Sequence, residues 1–238
     1  MATVATVGDR PASEVRPLRV IVTGYGDFAG VYNEAEGRPN PSGVLARRLA
    51  DLGLANAQVE FRYLEVTHAA VEAFMAEVRE NPPNIILSMG VSSKAQVEER
   101  PENWKSDAID GRGNRIDPGP ISFREAPRER LATDLPVDAI ERALRQAEAE
   151  GTLTARTVRT DDRQKTGREE DYFPDASAYL CNYLNFRLTE TFGQNEAVTA
   201  GFVHVTAQTT AEEMRVIAQA LVDHEVQQRR ENAQLSNS

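Results

Sequence analysis

One cysteine, three histidines and one tryptophan are all that the 238 residues hold of the side chains most often used for thiol, metal or stacking chemistry. A single cysteine excludes an internal disulfide and makes the cytoplasm the expected compartment. His68, His204 and His224 show no ligand spacing with one another or with Cys181, so no metal site is expected. Positive charge is also short. Lys and Arg number 27 against 37 Asp and Glu, and the net charge of −10 argues against nucleic acid and anionic membranes as partners. No apolar run approaches the roughly 20 residues that a membrane helix needs. Residues 1–16 have no apolar centre, so no secretory signal is expected. A G-x-S-x-G serine elbow and internal repeats are missing as well.

What is present describes an ordinary soluble domain, with 40% hydrophobic and 27% charged residues. The apolar runs Leu18–Thr23 and Asn84–Met89 each end at a glycine and read as buried strands. Val59–Val66, Leu153–Thr160 and Val198–Val205 complete the predicted strands. Helices are expected from Asn40-Pro41-Ser42 to Leu52, from Thr67 to the Pro82-Pro83 break, over Pro136–Glu150, and over 177–192 and 210–228. Residues 91–130 show little regular pattern, and Asp161–Asp175 reads as a charged insertion. This alternation predicts one α/β domain over 18–228, a three-layer fold with a mainly parallel twisted sheet flanked by helices. Residues 1–17 and 229–238 are expected to be disordered tails.

Two motifs compete for function. Gly24-Tyr25-Gly26-Asp27-Phe28-Ala29 follows a strand and fits G-x-G-x-x-[GA], which leaves a dinucleotide site open. Against it, about a dozen polar residues precede the next helix, where that fold has none. The bland reading is a strand-exit turn whose glycines supply positive φ. The second motif is Cys181 at a helix start, with His204 in the strand Gly201-Phe202-Val203-His204-Val205, 23 residues later. A lone cysteine is ordinarily a small buried hydrophobe. A helix N-terminus, however, favours a thiolate and offers unpaired N–H groups to an oxyanion. A histidine on a rigid strand is suited to act as its base.

Several segments together resemble the type I pyroglutamyl peptidases (pyrrolidone-carboxylate peptidases). Val22-Thr23-Gly24-Tyr25-Gly26-Asp27-Phe28-Ala29-Gly30 is similar to that family's V-T-G-F-x-P-F-G-G, and Asn40-Pro41-Ser42 to its N-P-S helix start. Met89-Gly90 with Val97-Glu98-Glu99-Arg100 resembles a glycine-ended strand followed by E-R-x-A-x-N. Ala176-Ser177-Ala178-Tyr179-Leu180-Cys181-Asn182 is similar to A-G-T-Y-L-C-N, and Gly201–Val205 to G-F-I-H-V-P.

The resemblance implies a cysteine-type omega peptidase. It would use a Cys–His–Glu triad, no metal and no cofactor, and act on peptides with an N-terminal pyroglutamate. Homo-oligomers occur in that family. Cys181 takes the place of the nucleophile and His204 that of the base. The acid is Glu99 or Glu98. Glu99 is preferred because Arg100 follows it and Asp107-Ala108 fall in register with a family D-A pair. Val97 before it and Asn103 five residues on speak for Glu98. Tyr25 and Phe28 fall on the two phenylalanines that hold the lactam ring, and Asn40 on the asparagine of N-P-S. For Asn40, helix capping is the alternative. The chain departs from the pattern at Pro101 and Glu102, at Ser177, at Thr206, and at Ile109 in place of an arginine that Arg112 could replace. These departures leave open a non-catalytic relative or an amidase of altered specificity on the same fold.

Overall fold

Strands β1 (Leu18–Tyr25), β2 (Ala57–Leu64), β3 (Ile85–Val91) and β7 (Thr199–Val205) form the parallel part of a sheet in a computed structural model, which describes residues 16–28, 31–125, 130–160, 179–195 and 197–236. The order is β2-β1-β3-β7-β4, and the edge strand β4 (Gln96–Glu98) runs antiparallel to β7. β1, β3 and β7 are covered on both faces, which is why their sequences are near-continuous apolar runs.

Helices α1 (Pro41–Leu52), α3 (Val137–Ala149) and α5 (Ala211–Leu235) cover one face, packing Leu45, Leu49, Leu144 and Leu221 on Val20, Leu87, Val203 and Val205. Helices α2 (His68–Glu80) and α4 (Leu180–Phe192) cover the other, packing Phe74, Met75, Leu184 and Leu188 on Ile21, Ile86 and Phe202. The three-layer, mainly parallel architecture follows from the alternation of elements in the sequence. Thr67 caps α2 through its side chain, as its position implied.

Three expectations are corrected. Leu153–Thr160 forms no strand beyond an isolated bridge of Arg159 with Gln96. Its backbone is claimed instead by the fully buried Glu213 carboxylate, which accepts from the N–H groups of Thr157 and Val158, both at 2.7 Å. The irregular 91–130 stretch contains β4 and a small hairpin, β5 (Ala108–Ile109) with β6 (Arg115–Ile116). Finally, α5 continues to Leu235, past residue 228 where fraying was expected, although Gln227–Ser236 are exposed. The Asp161–Asp175 insertion and residues 176–178 lie outside the described residues.

Candidate active site

Residues at the C-terminal ends of parallel strands face a common crevice, and three positions meet there through strand register. Gly90 of β3 is the partner of His204 on β7. On the other side of β7, Gln96 of β4 lies opposite His204 and Glu98 opposite Phe202. Side chains alternate along a strand, so Gln96, Glu98, Phe202 and His204 share one face. That is the α4 face, where Phe202 is buried against Leu180 and Leu184. Val97 and Val203 point to the opposite core.

Glu98 Oε2 accepts a hydrogen bond from His204 Nδ1 at 3.0 Å, with both side chains largely buried. The preference for Glu99 is therefore corrected. Glu99 falls on the parity of Val97, and its backbone carbonyl accepts from Thr133 N–H at 2.8 Å. With Nδ1 committed to a carboxylate, Nε2 is the ring nitrogen left for Cys181, whose sulfur is near enough to favour the protonated imidazole. Burial alone would lower the affinity of His204 for its proton. The bonds to Cys181 and Glu98, with the charges of both, outweigh it and raise the pKa to about 10. Both the carboxylate and the sulfur thus favour the protonated form of the ring.

Cys181 is the second residue of α4, half-buried, and the helix begins at Tyr179 without a side-chain cap. The first N–H groups of such a helix have no partner inside it and point toward the thiol end. Gly90 explains how the sulfur reaches the sheet. A Cβ at this position would lie 2.5 Å from Cys181 Sγ and 2.7 Å from the Phe202 ring. Gly90→Ala is expected to destabilise the protein by about 1–3 kcal/mol through overpacking and to push the thiol off the strand. Thermal unfolding, with the rate of Cys181 labelling by iodoacetamide, would check it. An unchanged midpoint and rate would show that the strand gives way freely.

The opening loop carries the other predicted residues. Tyr25 is buried, and its hydroxyl donates to the Leu180 carbonyl at 2.9 Å, just before the cysteine. Burial and then the nearby sulfur raise its pKa well above the ordinary tyrosine value. Phe28 is partly exposed and packs at a tilt on Tyr179, with ring centroids 6.0 Å apart. Tyr179 in turn donates to the Ile109 carbonyl at 2.9 Å. Asn40 caps α1, accepting from Ser42 N–H at 3.1 Å, and its amide donates to the Gly26 carbonyl at 2.9 Å. It thereby shapes the loop as well as the helix.

The glycines of the competing motif have a packing role. Neither Gly24 nor Gly26 has positive φ, which corrects that part of the sequence reading. A Cβ on Gly24 would collide with the Ser42 carbonyl, and one on Gly26 with the Tyr63 ring. His68 packs edge-on against Tyr183, with centroids 4.3 Å apart, and His224 is half-buried beside Gln228. Among the described residues no cluster of His, Cys, Asp and Glu is suited to a metal, and no helix is long and apolar enough to cross a membrane. The sequence reading passed over Tyr179, Gly90, Gln96 and Asn185 as site residues. Tyr179 was signalled by its place two residues before the thiol, and Gly90 by its place at a strand end.

These features define an α/β protein with a cysteine, a histidine and a glutamate gathered at the ends of its strands. No protein-family model matches the chain, and no curated protein matches it by sequence. Solved structures do. The chain is similar to pyroglutamyl peptidase I of Bacillus amyloliquefaciens, with 20% identity over 87% of this chain and 98% of that one, at TM-score 0.63. It is similar to the pyrrolidone carboxyl peptidase of Thermococcus litoralis, with 22% identity over 89% and 96%, at TM-score 0.65. The Pyrococcus furiosus enzyme gives 22% identity over 89% and 99%, at TM-score 0.62. The chain has the fold of these peptidases.

Proposed function

We propose that the protein is a divergent pyroglutamyl peptidase, a cysteine exopeptidase that removes an N-terminal pyroglutamyl residue. The observation that carries this reading is the Glu98–His204 hydrogen bond, with Cys181 near enough to the imidazole to favour its protonation. Cys181 as thiolate attacks the carbonyl carbon between pyroglutamate and the next residue, forming a C–S bond and an oxyanion. N–H groups at the start of α4 stabilise that charge. The intermediate collapses with cleavage of the C–N bond, and the His204 imidazolium gives its proton to the leaving amine. Water, losing a proton to His204, then hydrolyses the thioester and returns the thiolate. Glu98 keeps the imidazole in the productive tautomer throughout. Phe28 and Tyr179 offer apolar faces to the lactam ring, and Tyr25 fixes the helix start from beneath.

Hydrolysis of a pyroglutamyl-aminocoumarin substrate by the purified protein tests the reading, and no turnover would overturn it. The same assay carries a pH expectation. His204 has a raised pKa, so the proton needed by the leaving amine is present at neutral pH and lost as pH rises through about 10. The alkaline limb of kcat/KM is therefore expected near that pH. A limb at the ordinary histidine value would show that the imidazole is not paired as described.

One observation favours an amidase of altered acyl specificity as a second reading. Arg112, the candidate replacement for the family arginine, is ion-paired with Glu65 at 2.6 Å on the exposed surface. Turnover of other acyl-aminocoumarins in preference to the pyroglutamyl substrate would establish that reading.

A further inference from the structure

We infer that Asn182 and Asn185 are positioning residues that clamp the glutamate-bearing edge of the sheet to the helix carrying the thiol. This deepens the proposed function and rests on its reading of Cys181 as nucleophile. The two side chains stand three residues apart on α4, hence on one side of the helix, and both are buried. The Asn182 amide is bonded through both its oxygen and its nitrogen, whereas Asn185 uses its nitrogen and leaves Oδ1 without a partner; the bonds of both go to a single distant segment.

Asn182 Oδ1 accepts from Glu102 N–H at 2.7 Å, and its Nδ2 donates to the carbonyls of Glu102 at 2.8 Å and Trp104 at 3.0 Å. Asn185 Nδ2 donates to the carbonyl of Glu98 itself at 3.2 Å. The residue after the cysteine and the residue one turn on thus hold the last residue of β4 and the loop that follows it. From the other side, Thr133 and Leu131 N–H groups hold the carbonyls of Glu99 and Pro101 at 2.8 and 3.2 Å.

The need for a clamp follows from β4 itself. A three-residue antiparallel edge strand has a short ladder, which alone is a weak hold on a catalytic carboxylate. His204 sits on an inner strand and Cys181 is pressed on Gly90, so both are fixed by the core. Glu98 is the member whose place depends on the edge. The amides of α4 tie that edge to the nucleophile's own helix, so that sulfur, imidazole and carboxylate keep one spacing.

The test compares iodoacetamide labelling of Cys181 at pH 7 with labelling at pH 10, where free thiols are ionised. The ratio of the two rates reads ionisation of the thiol and cancels changes in access. In Asn182→Ala the ratio is expected to fall about tenfold, with kcat down about 10²-fold and KM within about twofold. Asn185→Ala is expected to shift both in the same direction by less, and it carries the test should Asn182→Ala fail to fold. A folded variant with the wild-type ratio and kcat would overturn the clamp. A wild-type ratio like that of a free thiol would overturn the nucleophile and the clamp together. A high wild-type ratio without pyroglutamyl hydrolysis would remove only the substrate assignment.

Discussion

Cys181→Ser and His204→Ala are each expected to lower turnover of the pyroglutamyl substrate by about 10⁴-fold or more, leaving the fold intact. The expectation rests on how the two side chains divide one task. Serine keeps the shape at the helix start, but its hydroxyl is far harder to ionise than a thiol beside the same imidazolium. Alanine at 204 removes both the acceptor for the thiol proton and the donor for the leaving amine. Because the groups act as a unit, the double variant is expected to be little worse than either single one. His204 also contacts Phe202, with ring centroids 5.1 Å apart, so its removal leaves a small void beside the thiol. Circular dichroism and thermal unfolding separate that packing loss from the chemical one. Substantial turnover in either folded variant would show that the triad is wrongly assigned.

The second large effect distinguishes two neighbouring carboxylates. Glu98→Gln is expected to cost about 10²-fold or more in kcat, because the imidazole loses the charge that orients it and holds its proton. It should also move the alkaline limb to lower pH, since the Glu98 hydrogen bond helps to raise the His204 pKa. Glu99→Gln is expected to leave kcat within a few-fold of wild type. Steady-state kinetics on both variants decide the matter. A large loss in Glu99→Gln with near-normal Glu98→Gln would reverse the assignment.

The parallel strands, the two helix layers and the cysteine and histidine segments were legible because each rests on a local pattern: an apolar run, a cap, a glycine at a strand end. The acid was not. The choice between Glu98 and Glu99 depends on which parity β4 presents to β7, and a three-residue strand inside a polar stretch has no periodicity to reveal it. The spacing to Asn103 carried the usable signal. Asn103 is fully buried, its amide donating to the carbonyls of Ser122 and Glu125 at 2.9 and 3.0 Å, so the loop after Glu98 is anchored at that point. Leu153–Thr160 misled for the opposite reason. Its alternation survives only at the end, with Val158 and Thr160 buried on either side of exposed Arg159, and Glu213 from a distant helix takes its backbone donors. The Tyr25 hydroxyl has its partner in the Leu180 carbonyl, 155 residues away in sequence, which no local pattern could supply.

Adjacent glutamates also bear on how the chain reaches its active form. A β4 that zipped onto β7 one residue out of step would still bring a carboxylate, that of Glu99, to the imidazole side. The chemistry of the acid therefore does not proofread the pairing. What rejects the error is the opposite face of the strand: Val97 would leave the core beside Val203 at a cost of about 1.5–3 kcal/mol, and the Glu98 carboxylate would be turned unpaired into its place. A folding mistake at this edge would resemble a finished enzyme from the histidine's point of view and be betrayed on the far face, by a valine turned out of the core and a carboxylate turned into it.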